Sequence, residues 1–165
     1  MPLELKELML HDPRLTLGVA ESITCGWLQA RIGSVSGAST FFLGGLTAYD
    51  VEQKIKHLGV EREHAVSVNA VSAQVAEQMA LGACWFFGSD LGLATTGYAE
   101  PSAAMGVAEP FAFWALAQVR QVPTPVVFSG RVSLSGASRV EAQRRMTDAV
   151  LSELIRYLVG FRERD

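Results

Sequence analysis

The sequence predicts an α/β fold: a single three-layer domain with a mixed, largely parallel sheet flanked by helices. The chain has 165 residues, the size of one domain, so residues 1–165 are expected to form one unit with 1–14 as an N-terminal helix and linker. Apolar residues make up 49% and charged residues 19% of the chain, which indicates a globular protein rather than a disordered one. Strand and helix patterns alternate along it, as they do in layered α/β sheets.

Ten elements are predicted from the period of the apolar residues and from the residues that begin or end each segment. In chain order they are helix 3–10, strand 15–20, helix 27–32, strand 41–49, helix 50–57, helix 67–87, strands 91–96, 111–118 and 126–134, and helix 138–158.

The first five elements depend on a few local signals. Leucines at helical spacing predict the first helix, which Pro13 ends, and an apolar run predicts the first strand. A short polar turn then leads into the second helix. Gly44 and Gly45 interrupt the second strand, which indicates that its backbone approaches a neighbour closely. Asp50 is a candidate cap for the helix that follows.

The later elements are predicted more strongly. The helix over 67–87 carries the clearest amphipathic pattern in the chain, and Ser72 is a cap candidate within it. The strand over 91–96 is apolar throughout, as in a buried strand. The next two strands are joined through Pro123 and Pro125 and are expected to be antiparallel. The last helix places Ala142, Met146, Ala149, Val150 and Tyr157 on one stripe.

Composition and charge exclude several classes of function. Net charge is -3 and no run of basic residues is present, so nucleic acid is not an expected partner. The longest apolar stretch, 111–119, is less than half of a membrane span, and the N-terminus does not resemble a secretion signal. Cys25 and Cys84 form no disulfide framework or metal motif. We therefore expect a soluble cytoplasmic protein that binds no membrane.

Several enzyme motifs are missing from the sequence. It contains no GxGxxG, no phosphate-binding GxxxxGK followed by Ser or Thr, no HExxH and no GxSxG, and its three histidines share no metal-ligand spacing. What remains is the turn between the first strand and the second helix. Backbone N–H groups and the positive end of a helix dipole meet at such a turn, so a hydroxyl there can be a nucleophile beside an anion site.

Ser22 lies in this turn, and two interpretations of it stay open. It is either a nucleophile or a helix cap, and capping is the commoner role of serine at such a position. A nucleophilic serine needs a base, and a desolvated lysine can serve. Lys54 follows the second strand, whose end would lie near Ser22 if the two strands are parallel. On composition alone, however, Lys54 is more often an exposed helix lysine.

The segment Ala20–Gly26, AESITCG, resembles the AESxTGG signature of the CinA C-terminal domain family. Further similar residues follow in the order of that family, and the resemblance covers about 15–158. These are Phe42, Gly45, Tyr49, Lys54 and Leu58-Gly59-Val60, then Ala70-Val71-Ser72 with Val75, Ala76, Glu77, Met79 and Ala80, then Thr96-Gly97-Tyr98-Ala99-Glu100-Pro101, and finally Arg139.

The resemblance implies a function. Active members of the family are nicotinamide mononucleotide amidohydrolases, which release ammonia and nicotinate mononucleotide and so recycle pyridine nucleotides without a metal or organic cofactor. Ser22 matches the nucleophile and Lys54 its partner, and the turn amides would hold the oxyanion. Arg139 would attract the phosphate. A homo-oligomer and a stand-alone version, without the family's common N-terminal partner domain, are also implied. The substrate-binding residues expected on this basis are Glu21, Thr24, Cys25, Gly26, Gly45, Tyr49, Thr96, Gly97 and Arg139.

The chain departs from the family pattern where substrate is expected. Cys25 and Glu100 each replace a glycine, Gln143 stands where a second arginine is usual with Arg144 beside it, and the loop over 102–110 lacks the usual glycines. Two explanations stay open: a hydrolase with a changed substrate, or a silent paralogue that binds a small ligand or acts as a regulatory module.

A role in assembly is a third alternative. The aromatic residues over 85–87 and 111–114 could form a subunit interface. Packing of these side chains in the core is the favoured interpretation.

Overall fold

The fold is built on a five-stranded mixed sheet with helices on both faces. The computed structural model describes residues 2–164. The elements are α1 (Pro2–Leu10), β1 (Leu17–Glu21), α2 (Trp27–Gly33), β2 (Phe42–Thr47), α3 (Val51–Leu58), α4 (Arg62–Ser67), α5 (Ala73–Phe87), β3 (Leu91–Tyr98), β4 (Phe111–Gln118), β5 (Val126–Ser133) and α6 (Arg139–Arg162). The predicted fold class is confirmed.

The strands lie in the order β2-β1-β3-β4-β5. β1 pairs in parallel with both β2 and β3, whereas β4 is antiparallel to β3 and to β5, as predicted for the last two strands. Glu21 is opposite Thr47, and Ala20 is opposite Ala94. The carboxyl ends of β1, β2 and β3 therefore meet at one edge of the sheet, where α/β folds place their ligands.

Each face of the sheet has its own apolar core. One core joins the sheet to α1, α2 and α6, and the other joins it to α3, α4 and α5. Successive strand residues point to opposite faces, so Val19 and Leu93 belong to the first core while Ala20 and Ala94 belong to the second. No helix within residues 2–164 combines the length and the apolar character that a membrane span requires.

The helix boundaries differ from the prediction in one informative place. The helix predicted over 67–87 begins at Ala73, and a separate helix, α4, precedes it. Asn69 and Ala70 lie between them with φ of 50° and 57°, in the left-handed region that interrupts a right-handed helix. Ser72 caps α5 by accepting a hydrogen bond from the Val75 amide, as predicted. Asp50 caps α3 in the same way.

The aromatic segment at the end of α5 is only partly buried. Trp85 is 65% exposed and Phe86 is 49% exposed, so the expectation that both pack in the core is wrong. The glycine pair in β2 does mark a close approach: a Cβ at Gly44 would collide with the ring of Phe87, and a Cβ at Gly45 would collide with the side chain of Gln29.

Candidate active site

A cavity of about 340 Å³ opens at the carboxyl ends of the three parallel strands. It lies between the turn after β1, the start of α3, the connection from α4 to α5, and the end of β3. The residues that line it are Ser22, Ile23, Tyr49, Asp50, Val51, Lys54, Asn69, Ala70, Val71, Thr96, Gly97, Tyr98 and Ala99.

Ser22 is the first residue after β1, and it lines the cavity. It does not cap α2, because that helix begins at Trp27 and Gly26 occupies the N-cap position. The capping interpretation is therefore wrong. Within residues 2–164 the Ser22 Oγ makes no hydrogen bond, although the residue is only 7% exposed. The hydroxyl is thus available to a ligand in the cavity.

Two buried threonines hold this turn in place by hydrogen bonds. The Ser22 amide donates to Thr95 Oγ1 at 3.3 Å, and Thr95 Oγ1 shares a hydrogen bond of 2.9 Å with Thr24 Oγ1. Thr24 and Thr95 are fully buried and lie outside the cavity lining. The Thr24 side chain therefore takes part in holding the turn and is not positioned to touch a ligand in this cavity.

Glu21, rather than Ser22, accepts hydrogen bonds from the amides at the start of α2. Its buried carboxylate accepts hydrogen bonds from the amides of Leu28 at 2.8 Å and Gln29 at 3.0 Å. A carboxylate is favoured there because the N-terminus of a helix carries unpaired N–H groups and a partial positive charge. Glu21 does not line the cavity, so the structure places it in a supporting position instead of against substrate.

The turn itself leaves several amides free. Cys25 donates to the Ser22 carbonyl at 3.1 Å, whereas the amides of Ile23, Thr24 and Gly26 donate no hydrogen bond within the described part of the chain. Cys25 and Gly26 have φ of 43° and 95°, which turns the backbone sharply into α2. Both lie outside the cavity lining, and Cys25 is exposed. The free amides that immediately follow Ser22 are suitable donors to an oxyanion.

Lys54 lies in α3 and lines the same cavity as Ser22. It is 2% exposed, so the interpretation of it as a surface lysine is wrong. Its Nζ donates to the Tyr49 carbonyl at 2.8 Å. Burial lowers the pKa of the ammonium from 10.5 to about 8, and the nearby Asp50 carboxylate opposes that shift without cancelling it. Within residues 2–164 no hydrogen bond joins Lys54 to Ser22; both face the cavity that they line.

Burial of Lys54 follows from the pattern of α3. Val51, Lys54, Ile55 and Leu58 occupy positions i, i+3, i+4 and i+7, which form one face of a helix. That face packs against the second core, to which Val51, Ile55 and Leu58 contribute apolar side chains. A lysine in the middle of an apolar stripe is a signal that the sequence already carried.

The remaining predicted residues divide into two groups. Tyr49, Thr96 and Gly97 line the cavity, and Thr96 Oγ1 donates to the Ala70 carbonyl at 2.6 Å. Gly45 does not line it, since this glycine makes room for Gln29.

Arg139 begins α6 and lies outside the cavity lining, to which a hydrogen bond to Tyr49 connects it. Its Nη2 donates to the Tyr49 hydroxyl at 2.6 Å, and its Nη1 donates to Glu100 Oε1 at 2.8 Å. The guanidinium is therefore already paired with a carboxylate. Arg144, which follows the position of the missing second arginine, stacks on the ring of Trp27 at 4.8 Å.

Sequence reasoning missed the connection between α4 and α5 as part of the site. Asn69, Ala70 and Val71 line the cavity, and Asn69 Nδ2 donates to the Tyr98 hydroxyl at 3.2 Å. Asparagine tolerates the left-handed conformation, which was a weak local signal, but alanine does not favour it. Such backbone strain is concentrated at functional sites. Within residues 2–164 no group of three or more His, Cys, Asp or Glu side chains could hold a metal.

A cavity at the carboxyl edge of parallel strands, lined by a free serine hydroxyl and a buried lysine, defines an α/β protein with a candidate small-molecule site. The chain belongs to the CinA C-terminal domain family, whose model matches residues 4–158.

Two solved structures are similar over nearly the whole chain. One is a competence-damaged protein (CinA) superfamily protein from Enterobacter cloacae, with a TM-score of 0.85, 26% identity and coverage of 95% of this chain and 89% of that one. The other is the competence/damage inducible protein CihA from Agrobacterium tumefaciens, with a TM-score of 0.80, 26% identity and coverage of 93% and 92%.

Curated relatives match a shorter segment. A CinA-like protein from Picosynechococcus sp. is 50% identical over 101 residues, which are 61% of this chain and 24% of that protein. A CinA-like protein from Dictyoglomus thermophilum is 46% identical over 93 residues, which are 56% of this chain and 23% of that protein. The matched segment thus spans about a quarter of these relatives.

Proposed function

We propose that the chain is an amidohydrolase that cleaves a linear carboxamide, with nicotinamide mononucleotide as the first substrate to test. The observation that supports it is a buried lysine of lowered pKa in the cavity that a free serine hydroxyl lines. At pH 7, a pKa of about 8 leaves about 9% of the lysine neutral, whereas a pKa of 10.5 would leave about 0.03%. Burial therefore raises the supply of the basic form about 300-fold.

The reaction proceeds by acyl transfer. Ser22 Oγ attacks the carboxamide carbon while neutral Lys54 takes the hydroxyl proton, directly or through one water. The amides of Ile23 and Thr24 donate to the oxyanion. Collapse of the tetrahedral intermediate breaks the C–N bond, and Lys54 returns the proton to the departing ammonia. Water then hydrolyses the Ser22 ester with Lys54 as the base, which yields the carboxylate.

The second candidate function is that of a paralogue that is catalytically inactive or acts on a different substrate. Two observations favour it: Ser22 and Lys54 make no direct hydrogen bond within residues 2–164, and Glu100 already pairs with Arg139, the expected phosphate ligand. Such a chain would bind a small ligand in the same cavity and either cleave another amide or act as a regulatory module.

The test is ammonia release from nicotinamide mononucleotide and from a panel of small carboxamides. We expect Ser22→Ala and Lys54→Met to lose release, and Lys56→Met, an exposed lysine of the same helix, to keep it. Because the base acts in its neutral form, kcat should rise with pH and level off above an apparent pKa of about 8. Release that persists in Ser22→Ala would overturn the mechanism, and silence on every amide would favour the second candidate.

A further inference from the structure

Three side chains form a rim cluster beside the cavity: Tyr49, Glu100 and Arg139. The guanidinium of Arg139 donates to Glu100 Oε1 at 2.8 Å and to the Tyr49 hydroxyl at 2.6 Å. Glu100 and Arg139 are 58% and 46% exposed, so a ligand that extends out of the cavity past Tyr49 meets both charges. Tyr49 also holds Lys54 through its backbone carbonyl, at 2.8 Å. The rim cluster is thus connected to the candidate base.

The charges around the cavity do not favour a phosphate dianion. The charged residues in its lining are Asp50 and Lys54, one of each sign. At the rim the positive charge of Arg139 is matched by Glu100. Three other arginines of the described chain stack on aromatic rings: Arg131 on Phe111, Arg144 on Trp27 and Arg162 on Phe161.

A phosphate monoester would therefore have to take Arg139 from Glu100 and remain beside that carboxylate. The phosphate and the Glu100 carboxylate would then repel each other, although exposure to water weakens this repulsion. A pyridinium carboxamide that lacks a phosphate does not meet this cost, because it leaves Arg139 paired with Glu100.

We propose that Glu100 is a specificity-determining residue that makes this cavity prefer a cationic pyridinium carboxamide nucleoside over the corresponding mononucleotide. This inference rests on the proposed function, because it names the class of substrate for the same site.

The test compares the binding of nicotinamide riboside and nicotinamide mononucleotide by titration calorimetry, at matched ionic strength, to the Ser22→Ala chain, in which no turnover interferes. The riboside should bind about tenfold more tightly, which corresponds to about 1.4 kcal/mol. Adding Glu100→Gln should reduce that preference about tenfold, since the substitution keeps the size of the side chain and removes its charge.

Glu153→Gln is the matched control. Glu153 also pairs with an arginine, Arg156 at 2.9 Å, but it lines a separate groove beside Trp114 and Tyr157. This variant should keep the preference of the parent chain. Equal binding of the two ligands by the parent chain, tighter binding of the mononucleotide, no binding of the riboside, or a preference that Glu100→Gln leaves unchanged would each overturn the inference.

Ammonia release by the unsubstituted chain separates this inference from the proposed function. A chain that prefers the riboside in binding but releases no ammonia from any amide refutes the amidohydrolase and supports the role of Glu100. A chain that binds and cleaves the mononucleotide better than the riboside supports the amidohydrolase and refutes the role of Glu100.

Discussion

Replacing Lys54 with methionine should stabilise the protein at neutral pH while removing the candidate base. The folded state holds the ammonium of Lys54 at a pKa of about 8 instead of 10.5, which costs about 3 kcal/mol when the group is charged. Methionine has a similar length and no charge to desolvate. The substitution also removes the hydrogen bond to the Tyr49 carbonyl, a loss of about 1 to 2 kcal/mol. We therefore expect a net gain of about 1 to 2 kcal/mol at pH 7.

The sign of this effect should change with pH. Between pH 8 and 10.5 the folded chain has released the Lys54 proton while the unfolded chain still holds it. The unfolded state then binds more protons, so the stability of the unsubstituted protein rises with pH in this window. The advantage of Lys54→Met should shrink from pH 8 upward, and by pH 10 the unsubstituted chain should be the more stable.

The assay is urea denaturation of both proteins at pH 7, 8, 9 and 10, read as the difference in unfolding free energy. Taking the difference cancels the contributions of other groups that titrate in this pH range. Burial raises the pKa of Cys84 from 9.0 to about 12 and also raises the pKa of Tyr157. Both shifts make the stability fall as pH rises. Lys56→Met, on the exposed side of the same helix, is the control and should differ little from the parent at any pH. A Lys54→Met difference that stays constant from pH 7 to 10 would refute the desolvated lysine.

Three further substitutions test the support of the site and the packing of the fold by urea denaturation. Thr95→Val should lower the free energy of unfolding by about 1 to 3 kcal/mol and lower kcat, because it leaves the Ser22 amide unpaired. Thr95→Ser should restore both quantities, and a Thr95→Val chain with unchanged stability and kcat would contradict this support. Glu21→Ala should cost about 1 to 3 kcal/mol because it removes the carboxylate that accepts two amides at the start of α2, and a neutral result would show that water replaces it. Gly82→Ala should destabilise the protein by at least about 1 kcal/mol, because the Leu58 carbonyl oxygen occupies the place of the new Cβ. Gly160 has open space around it, so Gly160→Ala should show the usual stabilising effect of alanine in a helix. Equal effects at the two positions would refute this packing.

The types and order of the main elements were predictable from local patterns. The two caps, Asp50 and Ser72, were identified correctly because a side-chain oxygen before an apolar run is a local signal. The division between α4 and α5 was not, because it depends on left-handed backbone at Asn69 and Ala70, and alanine gives no warning of that conformation.

The sequence by itself also predicted that Ser22 and Lys54 lie at the same edge of the sheet, and both line the cavity there. Ser22 and Lys54 each follow a strand, and parallel pairing of β1 with β2 brings the ends of these strands to the same edge of the sheet. The family signature pointed to the same two residues. Its match over residues 4–158 establishes the family and leaves the chemistry of the site as a proposal.

Only the tertiary structure decided the roles of the residues around that pair. Glu21 caps α2, Thr95 holds the Ser22 amide from 73 residues away, and Arg139 pairs with Glu100 across 39 residues. The last two hydrogen bonds join residues far apart in the sequence, so they depend on how β1, β3 and α6 pack together. Local periodicity indicates which face of an element is apolar, but it does not indicate which distant residue that packing brings within hydrogen-bonding distance.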